Sequence, residues 1–215
     1  MMKVQKEFHI YENFIENFFF RIDSKKHIIQ LFMETIRYIL SYENKKCNYA
    51  GKIILHKNKM SRIFFFTEGK YFSVYFPFSI DFNDKELKIY YKSIEINYYI
   101  VTKILEIIKS EKFISEDIYT FMEAFEDTSI DSDICFFTIL RDLILLEDGY
   151  IRYDVDKKTY EEYRAKDMPN VHPEHHYDLF YSNQATFKLG LKKHINEQHF
   201  IDLLDITTDC NFVAK

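Results

Sequence analysis

Apolar positions near the start of the chain recur at helical spacing. Phe14, Phe18 and Ile22 follow one another at intervals of four residues, and polar Asp23 interrupts the pattern. Ser24 is then predicted to be a helix N-cap, because its hydroxyl can accept a hydrogen bond from the first turn. The helix that follows is predicted to bury one apolar stripe, made of Ile28, Phe32, Ile36, Ile39 and Leu40. The chain is therefore expected to open with helices.

The apolar period then shortens towards two, which is typical of β-strands. Four segments rich in β-branched and aromatic residues are predicted as strands: 49–56, 62–67, 70–76 and 87–91. Hairpin turns are predicted at Asn58-Lys59 and at Glu68-Gly69, and the third strand is predicted to end before Pro77. The expected arrangement is an antiparallel meander.

The helical period returns after Ser93 and predicts a central pair of helices. The first carries a stripe of isoleucines from Ile96 to Ile108, and the second is capped by Ser115 and buries Phe121. Residues 134–146 form a continuous apolar run that fits either a buried strand or a buried helix. The hairpin dipeptide Asp148-Gly149 favours a strand there, paired with 150–155. The remaining predicted elements are a surface excursion with a helical turn at 157–171, strands at 176–182 and 185–191, and a last helix starting at Asn196-Glu197.

These elements predict an α+β fold with antiparallel sheets, N-terminal helices, a central helical pair and a C-terminal helix. A length of 215 residues without a linker or low-complexity tract favours one domain over residues 1–215. The alternative is a division into residues 1–110, with helices and the meander, and residues 111–215.

Composition excludes several functional classes. The four glycines lie too far apart to form a phosphate-binding loop, a dinucleotide fingerprint or a nucleophile elbow. Three cysteines without a C-x-x-C pattern exclude a zinc ribbon and a thioredoxin-like site, and they indicate a reducing compartment. The sequence shows no signal-peptide pattern and no apolar stretch of membrane-spanning length. We therefore expect a soluble, cytoplasmic protein with no membrane partner.

The net charge of −5 is unevenly distributed. Residues 45–70 hold seven basic residues and one acidic residue, whereas residues 111–156 hold thirteen acidic and three basic residues. The basic stretch suggests nucleic acid as a partner. Its candidate binding residues are Lys52, Lys57, Lys59 and Arg62, interleaved with Tyr49, Phe64, Phe66 and Tyr71. Positive charge combined with aromatic stacking is how proteins hold single strands. The alternative is a solvated hairpin whose aromatic residues belong to the core.

A second candidate site lies in the last third of the chain, where five of the eight histidines fall between His172 and His199. Alternation along the predicted strands places polar residues on one face and apolar residues on the other. If the apolar faces pack on the core, a single polar face collects Arg152, Asp154, His176, Asp178 and Lys188, with Asp156 at the end of the first strand. The order in which these strands pair does not follow from the sequence.

This polar face contains the groups required for phosphodiester cleavage. A histidine beside a carboxylate can serve as a general base, and Arg or Lys can bind a phosphate. Alternatively, Asp154, Asp156 and Asp178 could hold a divalent cation such as Mg²⁺ or Mn²⁺. An ordinary solvated sheet face with Arg–Asp and Asp–Lys pairs explains the same residues without any activity. The histidine spacings do not favour a structural zinc site.

The same residues resemble a known family. The segment Arg152-Tyr153-Asp154-Val155-Asp156, followed by His172-Pro173-Glu174-His175-His176-Tyr177-Asp178, resembles the C-terminal signature of the bacterial family called domain of unknown function 2290. The matching positions are Arg152, Asp154, His172, Pro173, His176 and Asp178. The resemblance covers residues 150–191. It implies a bacterial protein from a defence or toxin-like locus and implies no established activity.

Two functional hypotheses follow. The first is a nuclease-like effector in which His176 acts as base or acid, Asp154 and Asp178 orient it or bind metal, and Arg152 and Lys188 bind phosphate. The second is a non-catalytic subunit of a larger bacterial complex, with a protein partner. The first requires Arg152, Asp154, His176 and Asp178 to converge in a concave pocket, and the second requires a contiguous exposed apolar patch.

Overall fold

The computed structural model describes residues 4–44, 48–83, 86–110, 113, 134–182 and 185–212. The chain divides into two compact units, each assembled from separate stretches of sequence. The sheet unit consists of Met1–Glu12, Lys46–Phe76 and Gly149–Lys215, and the helical unit consists of Asn13–Lys45 and Pro77–Asp148. This division does not follow the alternative boundary at residue 110.

The described residues form both strands and helices. The strands are β1 (Val4–Tyr11), β2 (Tyr49–Lys57), β3 (Ser61–Thr67), β4 (Lys70–Tyr75), β5 (Ser79–Asn83), β6 (Glu86–Tyr91), β7 (Ile94–Glu95), β8 (Ile151–Val155), β9 (His175–Ser182) and β10 (Ala185–Leu191). The helices are a 3-10 helix (Glu12–Asn17), α1 (Lys25–Leu40), α2 (Tyr98–Lys109), α3 (Ile134–Leu145), α4 (Lys157–Arg164) and α5 (Glu197–Leu204). The predicted α+β class is confirmed. The helix predicted from Ser115 onwards lies outside the described residues.

The sheet unit is built on one antiparallel sheet of seven strands, in the order β1-β2-β3-β4-β8-β9-β10. The predicted meander is confirmed for β2, β3 and β4, with Phe64 opposite both Ile54 and Ser73. The chain then leaves the sheet for residues 77–148 and returns as β8, where Tyr153 pairs with Tyr71. β8 is therefore an interior strand of this sheet.

Helix α5 covers one face of the sheet. Asn196 caps the helix, since its side chain accepts a hydrogen bond from the backbone N–H of His199 at 2.8 Å. The ring of Phe200, which is fully buried, packs edge-on against Phe64 and Phe66. The core that results consists of Ile54, Phe64, Phe66, Tyr71, Ile151, Tyr153, Tyr177, Ile195, Phe200 and Ile201. Because side chains alternate along a strand, the neighbouring residues of β8 and β9 point to the opposite face.

A buried histidine–aspartate pair closes the C-terminal end of this core. Nε2 of His56, on β2, lies 3.1 Å from Oδ2 of Asp205, directly after α5. The other carboxylate oxygen of Asp205 accepts hydrogen bonds from the backbone N–H and the hydroxyl of Thr207, at 3.0 and 2.7 Å. The pair ties the end of α5 to the sheet.

In the helical unit, α1 packs against α2 and α3, and β5, β6 and β7 form a separate three-stranded sheet. The segment 87–91, predicted as a continuation of the meander, belongs to this second sheet instead. Asp142 of α3 accepts hydrogen bonds from Lys92 at 2.6 Å and from the hydroxyl of Tyr91 at 3.2 Å. No helix within the described ranges combines the length and the apolar character needed to cross a membrane.

One favoured element was wrong, and the first strand was missed. Ile134–Leu145 forms helix α3 in place of the favoured strand, and β8 pairs with β4 and β9 instead. The buried residues Phe136, Ile139, Leu140 and Leu143 follow the helical spacing of three and four. At the start of the chain, Val4–Tyr11 is a strand that pairs with β2 and precedes any helix. Ser24 and Asn196 occupy the N-cap positions predicted for them, but the Ser24 side chain makes no capping hydrogen bond, whereas that of Asn196 does.

Candidate functional site

The register of three neighbouring strands brings the predicted polar residues together. Arg152 lies opposite Asp178 and Asp154 lies opposite His176 between β8 and β9, and Lys188 lies opposite Asp178 between β9 and β10. We call Arg152, Asp154, His176, Asp178 and Lys188 the polar cluster. Their placement on one face is confirmed, and their catalytic role stays a prediction.

Asp178 is the centre of the polar cluster. Its Oδ1 lies 2.7 Å from Nζ of Lys188, and its Oδ2 is paired with the guanidinium of Arg152. Arg152 also reaches Asp154, with Nε 2.6 Å from Oδ2. Lys188 in turn lies 2.9 Å from Nε2 of His176, which is 3.9 Å from Oδ2 of Asp178. The five side chains therefore form one continuous network.

Most of this network is shielded from solvent. The side chains of His176 and Asp178 are 1% and 3% exposed, whereas that of Lys188 is 37% exposed. Electrostatic interactions are stronger where water is excluded, and an unpaired charge there is costly. Lys188 is thus the member of the cluster through which solvent or a ligand gains access.

The environment shifts the pKa values of four members: it raises that of Arg152 and also shifts those of Asp154, His176 and Asp178. Burial raises the pKa of the Asp178 carboxyl, but hydrogen bonds and charges from Lys188 and Arg152 outweigh burial and lower it overall. Burial raises the pKa of the Asp154 carboxyl, although the positive charge of Arg152 acts to lower it. Burial, with the charge of Lys188, lowers the pKa of the His176 imidazole. Two carboxylates and two cations therefore surround a histidine whose neutral form is favoured.

The backbone defines the tautomer of His176. Nδ1 lies 2.9 Å from the carbonyl oxygen of Pro173, which can only accept a hydrogen bond. Nδ1 of the neutral ring therefore carries the proton, and the lone pair of Nε2 points into the polar cluster. The ring of Pro173 packs over Gly190, the partner of His176 in β10.

Asp156 does not belong to this site, so its prediction as a third carboxylate ligand was wrong. β8 ends at Val155, and Asp156 is the N-cap of α4, where Oδ1 accepts a hydrogen bond from the backbone N–H of Thr159 at 3.0 Å. Its Oδ2 lies 3.7 Å from Nε2 of His172. The ring of His172 packs edge-on against His176 at a centroid distance of 4.7 Å. His172 and Asp156 thus form a layer beside the polar cluster.

Lys70 was missed as a neighbour of the cluster. It lies opposite Asp154 between β4 and β8, and burial lowers its pKa while the charge of Asp154 opposes that shift. Its sequence signal is the alternation of β4, which places Lys70 on the same face as Phe72 and Val74. This pattern would have assigned Lys70 to the site only if the pairing of β4 with β8 had been known.

The four candidate nucleic-acid-binding residues do not form one patch. Alternation places Lys52 and Arg62 on the α5 side of the sheet and Lys57 on the opposite side, and Lys59 lies in the hairpin tip. Lys52 is paired with Glu197 at 2.5 Å. Arg62 donates to the carbonyl of Gly149 at 2.6 Å and thereby joins β3 to the start of β8.

The interleaved aromatic residues are not available for stacking on bases, apart from one. Phe64, Phe66 and Tyr71 are buried in the core under α5. Tyr49 is 58% exposed and stacks on His9 at a centroid distance of 4.3 Å. The hairpin therefore supplies structural residues, with Lys57 and Lys59 as the candidates for nucleic-acid contact that remain.

Comparison with the profiles of known protein families, with curated proteins and with solved structures found no match to this chain. The polar cluster must therefore be interpreted from its own chemistry.

Proposed function

We propose that the protein hydrolyses phosphodiester bonds in nucleic acid and that the polar cluster is the reaction centre. One observation carries the proposal: the Nε2 lone pair of His176, held in place by Pro173, lies 2.9 Å from the ammonium group of Lys188 and beside paired carboxylates. A base and phosphate-binding cations are the groups that metal-free phosphodiester hydrolysis requires.

The cluster provides a role for each member. Arg152 and Lys188 bind the phosphate oxygens, and Asp178 orients both cations. In the metal-free reaction, a water oxygen forms a bond to phosphorus while its proton passes to Nε2 of His176. The ester P–O bond breaks, and the leaving oxygen takes that proton back from the imidazolium. In the metal-assisted reaction a bound dication activates the water instead.

The proposed biological setting rests on the resemblance to the domain of unknown function 2290 family. We propose a bacterial, cytoplasmic effector of a defence or toxin-like system. The matching residues include Arg152, Asp154, His176 and Asp178, which are four of the five members of the polar cluster. Sequence signature and spatial cluster therefore coincide.

The test is cleavage of labelled single-stranded RNA, single-stranded DNA and duplex DNA by the purified protein. Each substrate is incubated with EDTA, Mg²⁺ or Mn²⁺. The variants are His176→Ala and, as a matched control, His199→Ala, which removes an exposed histidine of α5. Cleavage that is lost in the first variant and kept in the second supports the proposal. Absence of cleavage by the folded parent protein under every condition contradicts it.

A second candidate function, a non-catalytic subunit, is favoured by the outer strand of the sheet. β10 is the last strand in the sheet order, and Phe187 and Leu189 on one of its faces are 54% and 37% exposed. Exposed strand edges with apolar residues are sites where another chain can add a strand. A protein that folds, cleaves nothing and forms a stable complex that Phe187→Lys disrupts would favour this function.

A further inference from the structure

Three possible metal ligands lie close together inside the polar cluster. A carboxylate oxygen of Asp154, a ring nitrogen of His176 and a carboxylate oxygen of Asp178 are all within 4.8 Å of one another. Because ligand distances to Zn²⁺ are about 2.0–2.2 Å and its sites are tetrahedral, two donors of one ion lie about 3.4 Å apart. A contraction of up to roughly 1.4 Å would bring this trio to coordination distance. We propose that Asp154, His176 and Asp178 bind one divalent metal ion.

The support around His176 is the second argument for a metal site. Metal-binding histidines usually donate their other ring N–H to a carbonyl or carboxylate, which holds the ring in position. In this protein Nδ1 donates to the carbonyl of Pro173 at 2.9 Å, and the side chain is 1% exposed. The Nε2 lone pair is therefore directed into the cluster, at the Lys188 ammonium group 2.9 Å away.

Lys188 holds the place that the ion would take. Its ammonium nitrogen is 2.7 Å from Oδ1 of Asp178 and 2.9 Å from Nε2 of His176, so one cation already contacts two of the three ligands. Since this side chain is 37% exposed, it can leave without unfolding the sheet. The metal ion and the Lys188 ammonium group thus compete for the same position.

The charges of the polar cluster show what a bound metal ion would add to the site. The positive charges of Arg152 and Lys188 are matched by Asp154 and Asp178, so the five residues of the cluster carry no net positive charge, and the neighbouring Lys70 adds one. A dication that displaces Lys188 from Asp178 adds two charges and frees the ammonium group for the phosphate. His176 then serves as a ligand, and the ion activates the water.

The donor set selects the class of metal. Mg²⁺ prefers oxygen ligands and retains much of its water, whereas imidazole suits transition metals. One imidazole with two carboxylates therefore favours Mn²⁺ or Zn²⁺ over Mg²⁺. The order of affinity for such sites predicts that Zn²⁺ displaces Mn²⁺.

The experiment measures Mn²⁺ binding directly, by loss of the free-ion electron paramagnetic resonance signal, with no nucleic acid present. One ion per chain, displaced by Zn²⁺, is expected. Because loss of even a supporting partner costs about 10–100-fold in metal affinity, His176→Gln is expected to weaken binding by at least that much. His199→Gln is the matched control and leaves binding unchanged.

Lys188→Met is expected to change the Mn²⁺ affinity in the opposite direction. It replaces a side chain that is 37% exposed, so this test does not require a change at a buried position. Removing the competing charge is expected to tighten Mn²⁺ binding by about tenfold or more. Lys193→Met, which removes an exposed lysine beyond β10, has no effect. Absence of Mn²⁺ binding in both the parent and Lys188→Met overturns the proposal, as does equal binding by the two histidine variants.

The catalytic role of the metal ion rests on the proposed function, but the metal site and the nuclease activity can be refuted separately. A protein that binds Mn²⁺ through the trio and cleaves no nucleic acid refutes the nuclease proposal alone. Cleavage in EDTA with no detectable Mn²⁺ binding refutes the metal site alone.

Discussion

Replacement of Gly190 by alanine tests whether Pro173 positions His176. Gly190 lies in β10 opposite His176, beneath the ring of Pro173. A Cβ added at Gly190 would lie 2.7 Å from Cγ and 3.2 Å from Cβ of Pro173. The backbone of Gly190 is not in the left-handed region, which in the described part of the chain holds only one glycine, Gly149. The substitution therefore acts through contact with Pro173 and not through backbone strain.

The size of the effect follows from these distances. Carbon–carbon contacts have their optimum at about 3.5–4.0 Å, so the Pro173 ring must move by about 1 Å. The Pro173 carbonyl accepts the hydrogen bond from Nδ1 of His176 at 2.9 Å, and a shift of that size takes it beyond hydrogen-bond distance. Overpacking costs about 1–3 kcal/mol, and a lost hydrogen bond costs about 1 kcal/mol. We expect the free energy of unfolding to fall by roughly 2–4 kcal/mol.

Two measurements check this expectation. Urea unfolding gives the free-energy change, and ¹⁵N chemical shifts of the imidazole nitrogens report the tautomer of His176. Gly69→Ala is the control, because an added Cβ at Gly69 meets nothing within 4 Å. In the parent and in the control, Nδ1 is expected to carry the proton, and in Gly190→Ala the two tautomers mix. If Gly190→Ala matches the control in both measurements, the Pro173 contact does not position the histidine.

Three further predictions concern the core, pH and the basic hairpin. Phe200→Ala removes the fully buried ring under α5 and is expected to cost about 3–5 kcal/mol in urea unfolding; a loss below 1 kcal/mol would contradict the packing described. Burial raises the pKa of Asp205, but hydrogen bonds from Thr207 and the charge of His56 lower it overall. The resulting stabilisation is complete above the unfolded pKa of 3.8 and is lost as pH falls through the lower folded pKa, so Asp205→Asn should flatten the acid limb of a stability–pH profile. Arg62→Gln should destabilise the protein while Lys59→Gln does not, because only Arg62 holds the Gly149 carbonyl; equal unfolding midpoints would contradict this.

The strands of the sheet unit were predictable because their apolar residues alternate. β2, β3, β4, β9 and β10 lie within a residue or so of the predicted segments. Alternation also predicted the shared face of Arg152, Asp154, His176, Asp178 and Lys188, since that grouping depends only on the period of two. The local pattern was sufficient for both.

The errors arose where a pattern had two meanings or where the partner strand was remote. The apolar run at 134–146 satisfies both periods, and the Asp148-Gly149 dipeptide proved to follow a helix. β1 has a mixed sequence and is recognisable mainly through Phe8 and Ile10, which are buried on one side of it. Pairing of β4 with β8 joins segments separated by residues 77–148, and no local signal encodes such a contact. Lys70 therefore could not be assigned to the site in advance.

Hydrogen-bond detail was also beyond the sequence. Alternation continued past Val155 would put Asp156 in the cluster, but the chain turns there and uses the carboxylate to cap α4. Pro173 contacts His176 through its backbone carbonyl, so residue identity alone does not reveal this role. Such backbone groups become visible only in three dimensions.

A double substitution separates a structural role for the polar cluster from a functional one. Asp178→Leu alone leaves Arg152 and Lys188 with excess positive charge in a largely buried site, and breaking a buried ion pair in this way costs about 3–5 kcal/mol. Asp178→Leu combined with Lys188→Leu removes one charge of each sign and keeps the contact between Arg152 and Asp154 at 2.6 Å. Replacing a buried ion pair by apolar residues is often neutral or stabilising.

We therefore expect urea unfolding to show a large loss for the single variant and a free energy of unfolding within about 1 kcal/mol of the parent for the double variant. The same sheet face already buries Phe65, Phe72 and Val74, so it has no general need for charge. A folded double variant that neither binds Mn²⁺ nor cleaves nucleic acid would assign the Asp178–Lys188 pair to function. If the double variant is as unstable as the single one, the ion pairs are needed for the fold itself.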